Sequence, residues 1–193
     1  MNDNILLDAL HALNKKLEEH HIERLDLKVC GGFAMYRFTD EMTRDIDNTF
    51  ALSQQLKGLV EQISEEFEEG TLDDDWLNDD WGKFGGKSWQ ALQIDKSIKW
   101  EPRPEIVLSH LTVTFAQLSS LICMKYFAII ERSKPKDVTD LQRMMAGNHV
   151  TAEQFLQMLK DHGIKNELDD VVSNLYLYKI IDDSEYLRML EQK

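Results

Sequence analysis

Two short runs near the start of the chain carry the side chains best suited to chemistry. Gly31-Gly32 close the run Leu25-Asp-Leu-Lys-Val-Cys30, and Asp45-Ile46-Asp47 follow a little later. Glycines at the end of a strand let backbone N–H groups approach an anion without a Cβ in the way. A helix starting there aims its positive end at the same place. Two acids at i, i+2 on a strand emerge on one face and can bind a divalent cation together. Mg²⁺ suits such a pair, because it takes few carboxylates and fills its shell with water and substrate phosphate. Two ions held about 3.5–4 Å apart can activate an attacking oxygen and stabilise a leaving one in phosphoryl-type transfer. Each run also has a plainer explanation. The glycines would serve as a strand-to-helix turn, and the aspartates as a solvated strand face with Arg44 paired to one of them.

The flanking pattern supplies elements that could position these groups. Ile5, Leu6, Leu7, Leu10, Leu13 and Leu17 recur at helical spacing behind the caps Asn2, Asp3 and Asn4, and His20-His21 end the helix. Leu25, Leu27 and Val29 alternate as a strand running into the diglycine. A short helix fits Phe33 to about Phe38, and a strand fits Arg44 to Leu52. Ser53 caps a helix striped by Leu56, Leu59, Val60, Ile63 and Phe67. Residues 70–104 hold all four tryptophans (Trp76, Trp81, Trp89, Trp100) and five aspartates between Asp73 and Asp80, which predicts a long loop. Ile106–Leu108 and Leu111–Phe115 form a hairpin pattern across Ser109-His110. Beyond Ala116 the chain is helical: Leu118 to about Arg132, Asp137 to Met145 after Pro135, a helix capped by Thr151, one over Leu168–Ile181, and a last one from Ser184. The expected fold class is α/β (α+β), a mixed sheet flanked by helices with a helical C-terminal half. The expected division is 1–115 and 116–193.

Composition narrows the function. With 22 basic and 35 acidic residues the net charge is −13, which argues against nonspecific binding to duplex DNA or to an anionic membrane. There is no signal-peptide pattern, and no apolar run approaches the ~20 residues of a membrane helix, so a cytoplasmic protein is expected. Cys30 and Cys123 sit far apart in apolar runs and fit buried free thiols. The six histidines lack zinc spacing. The aspartates of 73–80 lack the order of a calcium loop, and Gly82–Gly86 lacks the first glycine of a phosphate-binding loop.

Taken in order, Gly31-Gly32 and Asp45-Ile-Asp47 resemble the hallmark of the nucleotidyltransferase superfamily. The Gly-Gly-Phe-Ala run and Asp45-Ile-Asp47 are similar to a bacterial branch that includes the abortive-infection toxins, with the branch's Arg-x-Thr spacing before the acids compressed here to Thr43-Arg44. Trp76-Leu77-Asn78-Asp79, the helix bearing Lys125, and Lys136-Asp137-x-x-Asp140-Leu141 extend the likeness over about residues 25–145. The resemblance implies transfer of a nucleoside monophosphate from an NTP to an acceptor (RNA, protein or small molecule), with Mg²⁺ or Mn²⁺ as cofactor. Asp45 and Asp47 would hold the metal. Gly31, Gly32, Arg44 and Lys125 would bind the nucleotide, and Lys125 and Asp137 would complete the catalytic set with the two acids. A toxin–antitoxin pairing with a protein antitoxin is the implied setting. A noncatalytic binding or regulatory module of the same fold is the alternative. Gly32 stands where the family often has serine, and Asn48-Thr49 where it usually has a hydrophobic pair. A third acid is not assigned, Asp95 being a candidate by position. Lys125 also fits a core-helix lysine reaching solvent, and Asp137 an acid favoured at a helix start. Lys125, Arg132, Lys134 and Lys136 would offer a local basic groove to an RNA acceptor.

Overall fold

The computed structural model describes residues 5–39, 43–79, 97–164 and 168–191. The described chain divides into two compact units: residues up to 79 with 100–116, and residues 97–99 with 117 onward. Trp100–Ala116 lie with the first unit and residues from Gln117 with the second. The segment just before Trp100 belongs with the helical unit.

The first unit is built on a five-stranded mixed sheet in the order β3-β2-β1-β5-β4. Helix α1 (Ile5–Glu19) presents Leu6, Leu10, Leu13 and Leu17 as one fully buried stripe, the outcome of its 3–4 residue apolar spacing. Strand β1 (Leu25–Cys30) follows, then α2 (Gly31–Thr39), β2 (Ile46–Asn48), α3 (Gln54–Glu66) and β3 (Leu77–Asn78). Strands β4 (Ile106–Val107) and β5 (Leu111–Phe115) form the expected hairpin. Central β1 pairs antiparallel with β2 and parallel with β5, with Leu27 opposite Val113 and Val29 opposite Phe115. Leu27, Val29, Ile46, Leu111 and Val113 are fully buried. Asp26 and Lys28, with the opposite parity, are exposed. Helix α1 packs on α3 and β5, and α2 on β1 and β2. Ser53 caps α3 as expected, accepting from Leu56 N–H.

Two expectations need correcting. The strand expected over Arg44–Leu52 is only three residues long. It stops because Asn48, fully buried, turns its amide onto the backbone: Oδ1 accepts from Lys28 N–H at 3.3 Å and Nδ2 donates to Phe50 O at 2.7 Å. Leu52 N–H goes to Asp79 Oδ2 at 2.9 Å instead of to a sheet partner. The stretch expected as a loop over 70–104 also contributes a strand, β3, parallel to β2. Trp76 anchors it, fully buried, its indole N–H donating to Val60 O at 3.1 Å. Trp81, Trp89, Asp80, Gly82–Gly86 and Asp95 lie outside the described residues, as do Asn2, Asp3 and Asn4.

The second unit is helical: α4 (Leu118–Arg132), α5 (Pro135–Gly147), α6 (Ala152–Asp161), α7 (Leu168–Leu177) and α8 (Asp183–Glu191). Ser133 ends α4 in the left-handed region (φ 48°), and Pro135 opens α5, where its missing N–H costs nothing. Thr151 and Gln154 form a reciprocal capping box at the start of α6. The core gathers around Tyr126, whose ring meets Phe155 edge-on at 5.1 Å. His162, 6% exposed, ties residues 97–99 to the helices: Nδ1 lies 2.7 Å from Ser97 O and Nε2 3.2 Å from Ser119 Oγ. Among the described residues no helix is long and apolar enough to cross a membrane. Cys30 and Cys123 are both buried free thiols, as expected.

Candidate functional site

Gly31 follows Cys30 directly and is also the first residue of α2, so the strand turns into the helix with no loop between. That requires a left-handed residue, and Gly31 has φ +65°. Its second role is spatial. A Cβ built on Gly31 would overlap the Asp47 carboxylate and lie 2.6 Å from Asp47 Cγ. A Cβ on Gly32 would lie 2.8 Å from Thr43 Cβ and overlap the Thr43 hydroxyl. Both glycines are therefore needed for close approach, independently of turn geometry.

Thr43 Oγ1 in turn donates to Asp45 Oδ1 at 2.6 Å. The result is a compact cluster in which Asp47 rests on Gly31, and Asp45 is held to Gly32 through Thr43. Asp45 lies one residue before β2 rather than within it, and it flanks buried Ile46 with Asp47. Both acids are half-buried, and Arg44 between Thr43 and Asp45 is exposed. The first N–H groups of α2 have no intrahelical partners, so the helix brings its positive end to the bend against which Asp47 packs.

Two neighbours of Asp47 complete the cluster. Cys30 pairs with it across β1–β2, and its thiol lies 3.7 Å from Asp47 O. Burial, and then the charge of Asp47, push this thiol well above its ordinary range, so it stays protonated. On the other side, Asn78 of β3 stands in register with Asp47. The sheet therefore sets an amide where a third acid would be adjacent. Sequence reasoning missed Asn78 because a two-residue strand shows no alternation, although Trp76-Leu77-Asn78-Asp79 had drawn notice as a block. It missed Thr43 because a hydroxyl two residues before an acid is common.

The other expected site residues form a separate cluster inside the helical unit. Lys125 on α4 lies 2.9 Å from Asp137 Oδ1 and 2.6 Å from Asp140 Oδ2. Arg132 holds Asp137 in a two-pronged pair, Nε to Oδ2 at 2.7 Å and Nη2 to Oδ1 at 2.8 Å. Asp137 and Asp140 are each 2% exposed. Asp140 Oδ2 meets Lys125 as an ionic contact and receives no aligned hydrogen bond. Burial alone would raise the Asp137 carboxyl, but the hydrogen bonds from Arg132 and Lys125 outweigh it and hold it below its ordinary value. Two cations and two anions thus join α4 to α5. Of the expected basic groove, Lys134 and Lys136 are exposed, while Lys125 and Arg132 are engaged by these acids.

Among the described residues there is no group of three or more His, Cys, Asp or Glu side chains that could hold a metal ion. The donor set at the diglycine bend is two hard carboxylates. That set fits a cation that brings phosphate and water as its remaining ligands and does not fit a closed protein cage. Comparison with known proteins gives no relative: no family model matches the chain, and no curated protein and no solved structure matches it.

Proposed function

We propose that this protein is a Mg²⁺-dependent nucleotidyltransferase that moves a nucleoside monophosphate from an NTP to an acceptor. The observation that carries the reading is the packing of the Asp47 carboxylate on Gly31, with Asp45 fixed beside Gly32 through Thr43. In this reading Asp45 and Asp47 hold the metal. The ion, when bound, neutralises phosphate charge and polarises the reacting centre. The N–H groups at the start of α2 would receive the phosphates, with Asp47 and Thr43 packed on Gly31 and Gly32 beside them. Exposed Arg44 would meet phosphate charge in this reading. Catalysis would rest on positioning and electrostatics, since phosphoryl-type transfer needs little covalent chemistry from the protein. Lys125 and Asp137 enter this reading with their charges already matched within the helical unit. A toxin-like role in the cytoplasm, with a protein antitoxin, is the proposed setting; the acceptor is an RNA, a protein or a small molecule.

Titration calorimetry with each NTP, with and without Mg²⁺, tests the reading. Binding that needs Mg²⁺ and is lost in Asp45→Ala and Asp47→Ala is expected. Absence of metal-dependent binding to the wild-type chain overturns it. One observation favours the noncatalytic module as a second reading: the strand partner of Asp47 is Asn78, which can neither take a proton as a base nor add charge to a metal site. If that reading holds, Mg²⁺-dependent NTP binding occurs without transfer of label to any component of a cell lysate.

A further inference from the structure

Helices α7 and α8 leave an open groove of about 1170 Å³ between them, walled in part by Tyr176, Leu177, Lys179, Ile180, Asp183 and Tyr186. It lies wholly within the helical unit. The volume exceeds the ~300–1,000 Å³ of small-molecule sites and suits a stretch of chain better than a compact ligand. Leu177 is 69% exposed and Tyr176 beside it 40%. A single exposed leucine needs no explanation. Here the leucine adjoins a pair of rings, because Tyr176 and Tyr186 stack at 4.3 Å with their planes 16° apart. The stack holds both rings in place beforehand, so little side-chain freedom is lost when an occupant arrives.

The charge of the wall selects that occupant. Asp182, Asp183 and Glu185 stand there against Lys179, the one cation of the wall among the described residues. Their hydrogen bonds come from neutral donors and leave the charge in place. Asp182 Oδ1 accepts from Ser184 Oγ at 2.7 Å and from Glu185 N–H at 2.8 Å. Glu185 Oε1 accepts from Ala152 N–H at 3.1 Å, and Asp183 accepts from the Tyr176 hydroxyl. Arg188 comes within 3.6 Å of Glu185 but lies closer to Glu153, at 2.8 Å, so this cation and its acid leave the excess unchanged. Ring faces also attract cations. A nucleic acid or an anionic membrane would be repelled. A second copy paired about a two-fold axis would set these acids against themselves, and a net charge of −13 on each chain opposes the approach. What remains is a segment that carries both positive charge and apolar side chains.

We propose that this groove docks a basic segment of another protein, with an aliphatic side chain on Leu177 and Ile180 and an arginine or lysine beside the Tyr176 ring and Asp183. The surface stands apart from the nucleotide reading, and either can fail alone. Fluorescence anisotropy of the full chain with a labelled peptide of alternating arginine and leucine tests it. This peptide should bind at least about tenfold more tightly than one of alternating arginine and serine, which leaves the apolar part of the groove unused. Leu177→Ser should weaken the arginine–leucine peptide about tenfold, and Asp183→Asn about threefold. Both positions are exposed, so the fold tolerates either change, and asparagine keeps an acceptor for Tyr176. Asp75→Asn, which removes an exposed acid from the first unit, should leave the affinity unchanged, since remote charges are screened by salt. Equal binding of the two peptides, no binding of either, or a loss from Asp75→Asn as large as that from Asp183→Asn would overturn the proposal. So would tighter binding of a glutamate–leucine peptide, or a dimer in sedimentation that Leu177→Ser dissolves.

Discussion

The two acidic clusters of this protein use the same side chains to opposite ends. At the diglycine bend, Asp45 and Asp47 are half-buried; Asp47 packs on Gly31, and Asp45 is held by Thr43, which packs on Gly32. Between α4 and α5, Asp137 and Asp140 are 2% exposed and matched by Lys125 and Arg132. The first arrangement leaves solvent access at crowded carboxylates, which a fold gains little by keeping. The second cancels charge inside a core, where an unmatched carboxylate would be very costly. Burial with matched charge is the mark of a structural tie; the crowded, half-buried pair is the one to which the proposed function assigns a ligand.

The largest effect should come from breaking the tie. Asp137→Ala removes the buried carboxylate that Lys125 and Arg132 both meet and should cost the helical unit about 3–5 kcal/mol, read by denaturant unfolding. Asp47→Ala should change stability by less than about 1 kcal/mol. Comparable losses from both substitutions would erase the distinction.

Gly31→Ala comes next. It combines a left-handed backbone with overlap on Asp47 and should cost about 1–3 kcal/mol. Combined with Asp47→Ala the cost should shrink, because the carboxylate that Cβ meets is gone. A double-mutant cycle measures that coupling, and strict additivity would mean that Asp47 does not rest on Gly31.

Acid should then separate the groups within the helical unit. Burial holds the His162 ring below its ordinary 6.5 despite the Ser97 carbonyl, so its contribution is intact above that value and declines as pH falls beneath it. Asp137 is held below its ordinary 3.8, because its hydrogen bonds outweigh burial; its contribution declines only below 3.8. Melting temperature against pH should therefore fall in two steps. His162→Gln should flatten the upper step and Asp137→Asn the lower.

The smallest effect is expected from Thr43→Val, which removes the hydroxyl that Asp45 accepts from and should cost about 1 kcal/mol. A loss as large as that of Asp137→Ala would mean that the bend is a structural tie after all.

Much of the scaffold was legible because it follows from periodicity. The stripe of α1, the hairpin of β4 and β5, the Ser53 and Thr151 caps and the start of α5 near Pro135 all depend on neighbours within a few residues. The approach of Gly31-Gly32 to Asp45 and Asp47 was also readable, since one strand turn and one antiparallel pairing bring them together. What escaped needed long-range information. The short β2 depends on an Asn48 side chain bonding across the sheet. The existence of β3 depends on Trp76 reaching Val60 in α3. Lys125 finds its partners at Asp137 and Asp140, on the next helix, and no local pattern tells a paired lysine from one that meets phosphate.

The pairing of β1 with β5 also orders events during synthesis. The first unit is discontinuous, and its central strand waits for a partner that emerges only once residues 111–115 have been made. Until then β1 has a bare edge beside the nascent diglycine bend. Contacts so distant in sequence are slow to form, and an unpaired edge invites association with other chains. A chain cut short after residue 83 would keep every glycine and acid of the bend yet lack the strand that closes its sheet. The N-terminal half should therefore clump when expressed without the hairpin.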